Sequence, residues 1–218
     1  MKTISITLYR FEELGRQQQD KALEEFRYIN VMDQDWFEFT RDDFCRICKI
    51  LGIHTEPENI SFQGFYSQGD GSTFSSGIDL MTFIRGTGQQ SWKQVAPALP
   101  LDILPCTCDA RVINLIEKGV IDATVKTVSC LGYQLKYGSE YDFDRKSRYS
   151  NIDSELEKLD SWVEQSMEAL NTFLFKSLQE EYEYQISDQS VQESIEANEY
   201  VFTANGKFAG YLLALAND

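Results

Sequence analysis

Apolar residues recur along the chain with two periods, and the switches between them divide it into elements. Ile4, Ile6 and Leu8 alternate through Thr3–Tyr9 and predict a half-buried strand. Phe11, Leu14, Ala22, Leu23, Phe26 and Ile29 then recur at helical spacing and predict a helix over Phe11–Asn30, dented or split at Gly15. A second helix is expected from Asp35 to Leu51, stopped by Gly52. Val31–Asp33 would join the two as an αα-hairpin.

The centre changes period. Ile60, Phe62 and Tyr66 alternate around Gly64 as a strand, broken by the polar turn Ser67-Gln68-Gly69-Asp70-Gly71, and a second strand is expected over Ser72–Arg85. Gly86–Gly88 and the prolines at 97, 100 and 105 read as loop. Asp109 is placed to cap a helix over Ala110–Lys118 that Gly119 ends. Ile121–Cys130 and Tyr133–Tyr137 predict a hairpin about Leu131-Gly132, and Tyr141–Tyr149 a further strand.

From Asp153 to Glu183 the period is helical without a break, with an apolar stripe running from Leu156 to Tyr182. Ser187 or Asp188 would cap a following helix ending near Asn198, with Ser190-x-x-Glu193 as an alternative capping box. Glu199–Thr203 and Lys207–Tyr211 flank Asn205-Gly206 as a hairpin, and the apolar end Leu212–Leu215 should dock. These elements predict an α+β fold: an antiparallel or mixed sheet packed by helices, with a long C-terminal helix. One domain over 1–218 is expected, with a sub-lobe at about 85–150.

Composition leaves this picture intact. The 218 residues are 42% hydrophobic, enough for a real core. No run of apolar residues is long enough to span a membrane, and MKTISITLYRFEE has no signal-type apolar core, so a cytoplasmic location is expected. Five cysteines, at 45, 48, 106, 108 and 130, fit a reducing compartment better than a disulfide framework. Cys45-x-x-Cys48 and Cys106-x-Cys108 invite a zinc reading, but Cys45 and Cys48 fall within a helical pattern. Buried thiols are the preferred reading, with no metal and no cofactor. The lone His54 sits in a loop without a nucleophile motif and is read as surface or capping.

Charge changes the picture more. The net charge is −15, and Asn151–Tyr200 holds thirteen acids against two lysines, a balance of −11. Direct nucleic-acid binding is therefore not expected, since it rests on neutralising phosphates with Lys and Arg. A protein partner with a basic surface fits, as does a solubilising surface; a homo-oligomer is left open apart from the charge.

Two stretches could carry chemistry. Gln68-Gly69-Asp70-Gly71 lacks the lysine and following helix of a phosphate loop and the carboxylate ladder of a calcium loop. As an enzyme or small-ligand site it offers Ser67, Gln68 and Asp70; as a turn, Asp70 and Ser67 would tie backbone amides. The turn is the preferred reading. The second stretch places Glu180, Glu181, Glu183 and Asp188 among tyrosines, where they could grip a basic groove or form a solvated helix face.

Three segments resemble an uncharacterised phage and prophage protein family. The opening TLYRFEELGRQQQDKALEEF, the central phrase Phe62–Phe74 and the closing pattern Leu178–Gly206 carry the likeness; residues 85–153 do not. Ser72 stands where that family usually has alanine, a change expected to matter little. Members are often labelled antitoxins of toxin–antitoxin stability systems. The resemblance implies a mobile-element origin and names no activity. The function expected is a non-enzymatic, phage-type protein that inhibits a host or defence protein through an acidic surface, in the manner of a DNA mimic. In that role Gln68–Gly71 and the acids 180–188 would meet the partner. The alternatives are an enzyme or ligand-binding protein acting at Ser67–Gly71, and an antitoxin neutralising a toxin.

Overall fold

A computed structural model describes residues 5–130, 133–143 and 151–212. The fold is α+β, with antiparallel sheets and one long helix near the C-terminal end. The chain divides into two compact units, one made of its two ends, Met1–Phe37 with Glu180–Asp218, and the other of Glu38–Gln179. The segment 85–150 lies inside the second.

In the unit built from the ends, the two-residue strand β1 (Tyr9–Arg10) pairs antiparallel with β8 (Val201–Phe202). Of the longer strand expected over Thr3–Tyr9, residues 3–4 lie outside the described residues, 5–8 carry no regular structure, and Ile6 is exposed. The helix expected over 11–30 is split into a 3-10 turn Phe11–Glu13, the helix α1 (Arg16–Glu25) and a 3-10 turn Ile29–Val31. Gly15, the N-cap of α1, is where it splits. Phe11, Leu14, Ala22 and Leu23 bury against Val191, Ile195 and Phe202 in one cluster. Val191 and Ile195 come from α6 (Asp188–Ala197), capped by the Ser187 side chain accepting from the Ser190 amide, and not by the alternative box at Ser190. After β8 the chain turns through Asn205-Gly206, closed by a Gly206 amide donating to Thr203 O at 2.9 Å. It returns only as a single bridge, Phe202 to Phe208, in place of the strand expected over 207–211. The apolar end from Leu213 onward lies outside the described residues.

The larger unit opens with α2 (Glu38–Ile50), so the two helices expected to form a hairpin about residues 31–33 belong one to each unit. Its main sheet has the order β2-β5-β6-β7, all antiparallel: β2 (Ile53–His54), β5 (Ser76–Ile78), β6 (Asp122–Cys130) and β7 (Gln134–Asp142). β7 runs continuously from 134 to 142, so Tyr141 ends this strand and does not begin another; 144–150 lie outside the described residues. The central hairpin, β3 (Ile60–Gln63) with β4 (Gly71–Phe74), is a separate two-stranded ladder whose β4 packs on β6 and β7. The long second strand expected to 85 stops early. Asp79 caps the Thr82 amide at 3.0 Å and turns Leu80–Gly88 into the helix α3, which also absorbs the loop expected at 86–88. The helix α4 (Ala110–Glu117) has Asp109 as its cap, as its sequence predicts.

α5 (Ile152–Gln185) carries the apolar stripe, with Leu159, Val163, Met167, Leu170, Leu174 and Leu178 fully buried. Residues 152–179 of this helix lie in the larger unit and residues 180–185 in the smaller. Phe83 meets Trp162, and Phe44 meets Phe74, each with ring centroids 5.1 Å apart. The Trp162 indole N–H donates to Leu104 O at 2.6 Å, tying the irregular 97–109 segment to α5.

Candidate functional site

The central loop spans Gly64–Asp70 between Gln63 and Gly71, which face each other at the end of the β3–β4 ladder. Asp70 Oδ2 accepts from the amides of Tyr66 at 2.7 Å and Ser67 at 2.5 Å, and the Asp70 amide donates back to Ser67 O at 3.2 Å. This is the side-chain-to-backbone closure that aspartate offers a turn. Gly64 takes φ +56 and ends β3; a Cβ there would overlap the Asp70 carboxylate. Gly69 takes φ +97 with open space around it. Asp70 therefore spends one oxygen on its own loop, while Ser67, Gln68 and Gly69 are exposed around it. Phe65 stacks on Phe62 at 5.8 Å and meets Phe175 of α5 at 5.5 Å, which seats the loop's base. Asp70→Ala should remove both amide bonds and cost about 1–2 kcal/mol, read as earlier melting and faster amide exchange at Tyr66 and Ser67.

Ser72 departs from the expectation that it matters little. It is buried, and its hydroxyl donates to Asn171 Oδ1 at 2.9 Å while the Asn171 amide donates to Ser72 O at 2.8 Å. The pair clamps β4 to α5 directly after the loop. Arg41 of α2 donates to Ile60 O at 3.0 Å and lies 6.0 Å from the Phe62 ring, its pKa lowered by burial.

A second polar centre lies where no sequence motif marks one. Asp160 Oδ1 accepts from the hydroxyls of Tyr137 at 3.0 Å, Ser139 at 2.6 Å and Tyr141 at 2.8 Å. The three donors alternate on one face of β7, and Asp160 lies on α5 beside the apolar stripe. Burial, reinforced by the neighbouring carboxylate, pushes both tyrosine hydroxyls above their ordinary pKa. The cluster is a fixed, half-buried acceptor site, with hydroxyls that stay protonated at neutral pH.

The acidic residues at the end of α5 and in α6 belong to the smaller unit. Asp188 is bound by Arg27 at 2.5 Å, a contact that raises the Arg27 pKa. Glu181 accepts from Gln185 at 2.7 Å, and Glu180 and Glu183 are exposed. Their surroundings are acidic as a whole: this unit holds fifteen acids against six bases, the larger unit twenty against fourteen. Gln68–Gly71 belongs to the larger unit, so the residues expected to share one partner surface fall in two units.

The cysteines divide by burial. Cys48 in α2 and Cys108 are buried, Cys45 and Cys106 are half-buried, and all four are free thiols. Burial pushes Cys45 up to about 11 and Cys108 up to about 12, with Cys48 and Cys106 also raised. Among the described residues no three His, Cys, Asp or Glu side chains are placed to share a metal ion. These thiols should resist alkylation by iodoacetamide at pH 7.5 in the folded chain and react on unfolding, because the thiolate is the nucleophile. Mass spectrometry of alkylated protein reads this directly.

A family model described as a domain of unknown function (DUF8835) matches residues 36–188. The chain belongs to this family. No curated protein and no solved structure matches it. The DUF8835 match takes in the Gly64–Asp70 loop, the Asp160 cluster and the acids from Glu180 to Asp188, and attaches no activity to them. Among the described residues no helix is long and apolar enough to cross a membrane.

Proposed function

We propose that this DUF8835 chain is a non-enzymatic binding protein that neutralises a host or defence protein in the cytoplasm by covering a basic surface. The observation that carries the reading is the acidity of the unit built from the chain ends, fifteen acids to six bases, with Glu180 and Glu183 exposed on it. Such a field attracts a basic partner and repels nucleic acid. The phage-type and antitoxin-like character comes from the sequence resemblance alone. Asp70 is read here as the residue that closes its loop, its Oδ2 accepting two loop amides.

The test is affinity capture of tagged full-length chain from bacterial cells at low and high salt, beside a Glu180→Gln/Glu181→Gln/Glu183→Gln variant. The expected result is a basic protein retained in stoichiometric amount, lost at high salt and weakened about tenfold or more by the variant. Capture of no specific protein, or capture indifferent to salt and to the variant, overturns the reading.

A further inference from the structure

We infer that an apolar groove on the smaller unit is the docking site for a short partner segment in which basic residues flank an apolar or aromatic anchor. The inference rests on the acidic-binder reading above and gives it a location. The groove holds about 400 Å³ and is lined by Glu25, Phe26, Tyr28, Ile29, Met32 and Tyr200. Tyr28 and Met32 are 58% and 79% exposed, which is unusual for apolar side chains this close together. Its floor is rigid. Phe26 packs against Tyr200 at 5.1 Å and Phe208 at 5.4 Å, and Tyr200 against Phe208 at 5.1 Å. Rigid aromatic walls suit an anchor side chain, since little rotamer freedom is lost on binding.

Charge identifies the occupant. Tyr200 also lines a neighbouring depression of about 290 Å³ that carries Glu12, Glu196 and Glu199 with the single base Arg10. An apolar slot that carries Glu25 and shares Tyr200 with a depression holding three further glutamates favours a segment carrying Lys or Arg beside its anchor. A second copy of this chain would bring acid against acid. Aromatic rings at the floor add attraction for a guanidinium or ammonium group.

The test is selection of a displayed library of random, roughly twelve-residue peptides on the full-length chain, followed by titration of the selected peptides by fluorescence anisotropy. Selected peptides should carry an apolar or aromatic residue with Lys or Arg around it. Their affinity should fall about tenfold or more in Tyr28→Ser/Met32→Ser, at unchanged melting temperature. Glu25→Lys, a change at an exposed position, should weaken them as well and reduce the salt dependence. Peptides without basic residues, or binding that stays within about threefold in both variants, overturn the groove, as does a library that yields no binder. Failure of the broader reading is seen separately: the groove then still binds its peptides, while the Glu180→Gln/Glu181→Gln/Glu183→Gln chain captures what the unmodified chain captures.

Discussion

Asp160→Ala is expected to destabilise the larger unit by about 2–4 kcal/mol, because three hydroxyl donors lose one acceptor at a stroke and two of them belong to tyrosines packed under α5. Denaturant unfolding would read the loss as a lower midpoint with little change in slope. Asp160→Asn keeps an acceptor oxygen and should fall between the two, losing only the charge-assisted part of the bonds. The same cluster predicts a pH dependence. Tyr137 and Tyr141 have folded pKa values above the unfolded value near 10, so the unfolded chain gives up these protons first. Their contribution is fully present below about pH 10 and is lost as pH rises from there through the folded values. The unmodified protein should therefore destabilise steeply above pH 10, and a Tyr137→Phe/Tyr141→Phe chain more gently.

This cluster also shows where the sequence stops being legible. Tyr137 ends one expected strand, Tyr133–Tyr137, Tyr141 begins another, Tyr141–Tyr149, and Ser139 falls between them, so the alternation Tyr137-Ser139-Tyr141 is cut. A signal was present in α5: Asp160 follows Leu156 by four residues and precedes Val163 by three, at the border of the inward stripe, where a half-buried carboxylate needs donors. Elements with a long single period, α5 above all, were legible nearly to the residue, as was the Asp109 cap; for α6 the sequence leaves Ser187, Asp188 and the Ser190 box open, and the structure decides for Ser187. Asp79 is the same kind of cap, but Ser72–Arg85 also alternates well enough to read as a strand, and the cap decides in favour of a helix. Short strands such as Tyr9–Arg10 are fixed by a partner almost two hundred residues away and leave no local trace. In the central loop, glycine and aspartate chemistry was readable and the turn formed as preferred. The groove residues Tyr28 and Met32 were not, because solvent exposure of an apolar side chain has no sequence signature. The acidity was legible as a total, but its division between units was not. Glu155 and Asp160 sit in the −11 block yet belong to the larger unit, where Glu155 accepts from the Asp109 amide at 2.8 Å and Asp160 takes the hydroxyls.

Asn171→Ala should cost about 2–3 kcal/mol, since it strips a buried strand carbonyl, Ser72 O, of its side-chain donor and removes the better of two acceptors from the Ser72 hydroxyl. That hydroxyl retains the Asn171 backbone carbonyl at 3.2 Å, which limits the loss. Ser72→Ala removes only the hydroxyl and leaves the carbonyl bond in place, so it should cost about 1 kcal/mol or less. The two positions touch, and the double variant should cost less than the sum of the singles; a double-mutant cycle measures the difference. The cycle also separates two ideas about residue 72. If serine were a passive replacement for alanine, Ser72→Ala would be neutral in both backgrounds. The bidentate geometry predicts coupling, and with it slower local opening of the Gly64–Asp70 loop, whose C-terminal edge is the strand that Asn171 holds. Amide exchange at Tyr66 and Ser67 should therefore quicken in Asn171→Ala although the substitution is far from both in sequence. Unchanged exchange there would mean that the loop is held by Asp70 and the Phe62–Phe65–Phe175 packing alone.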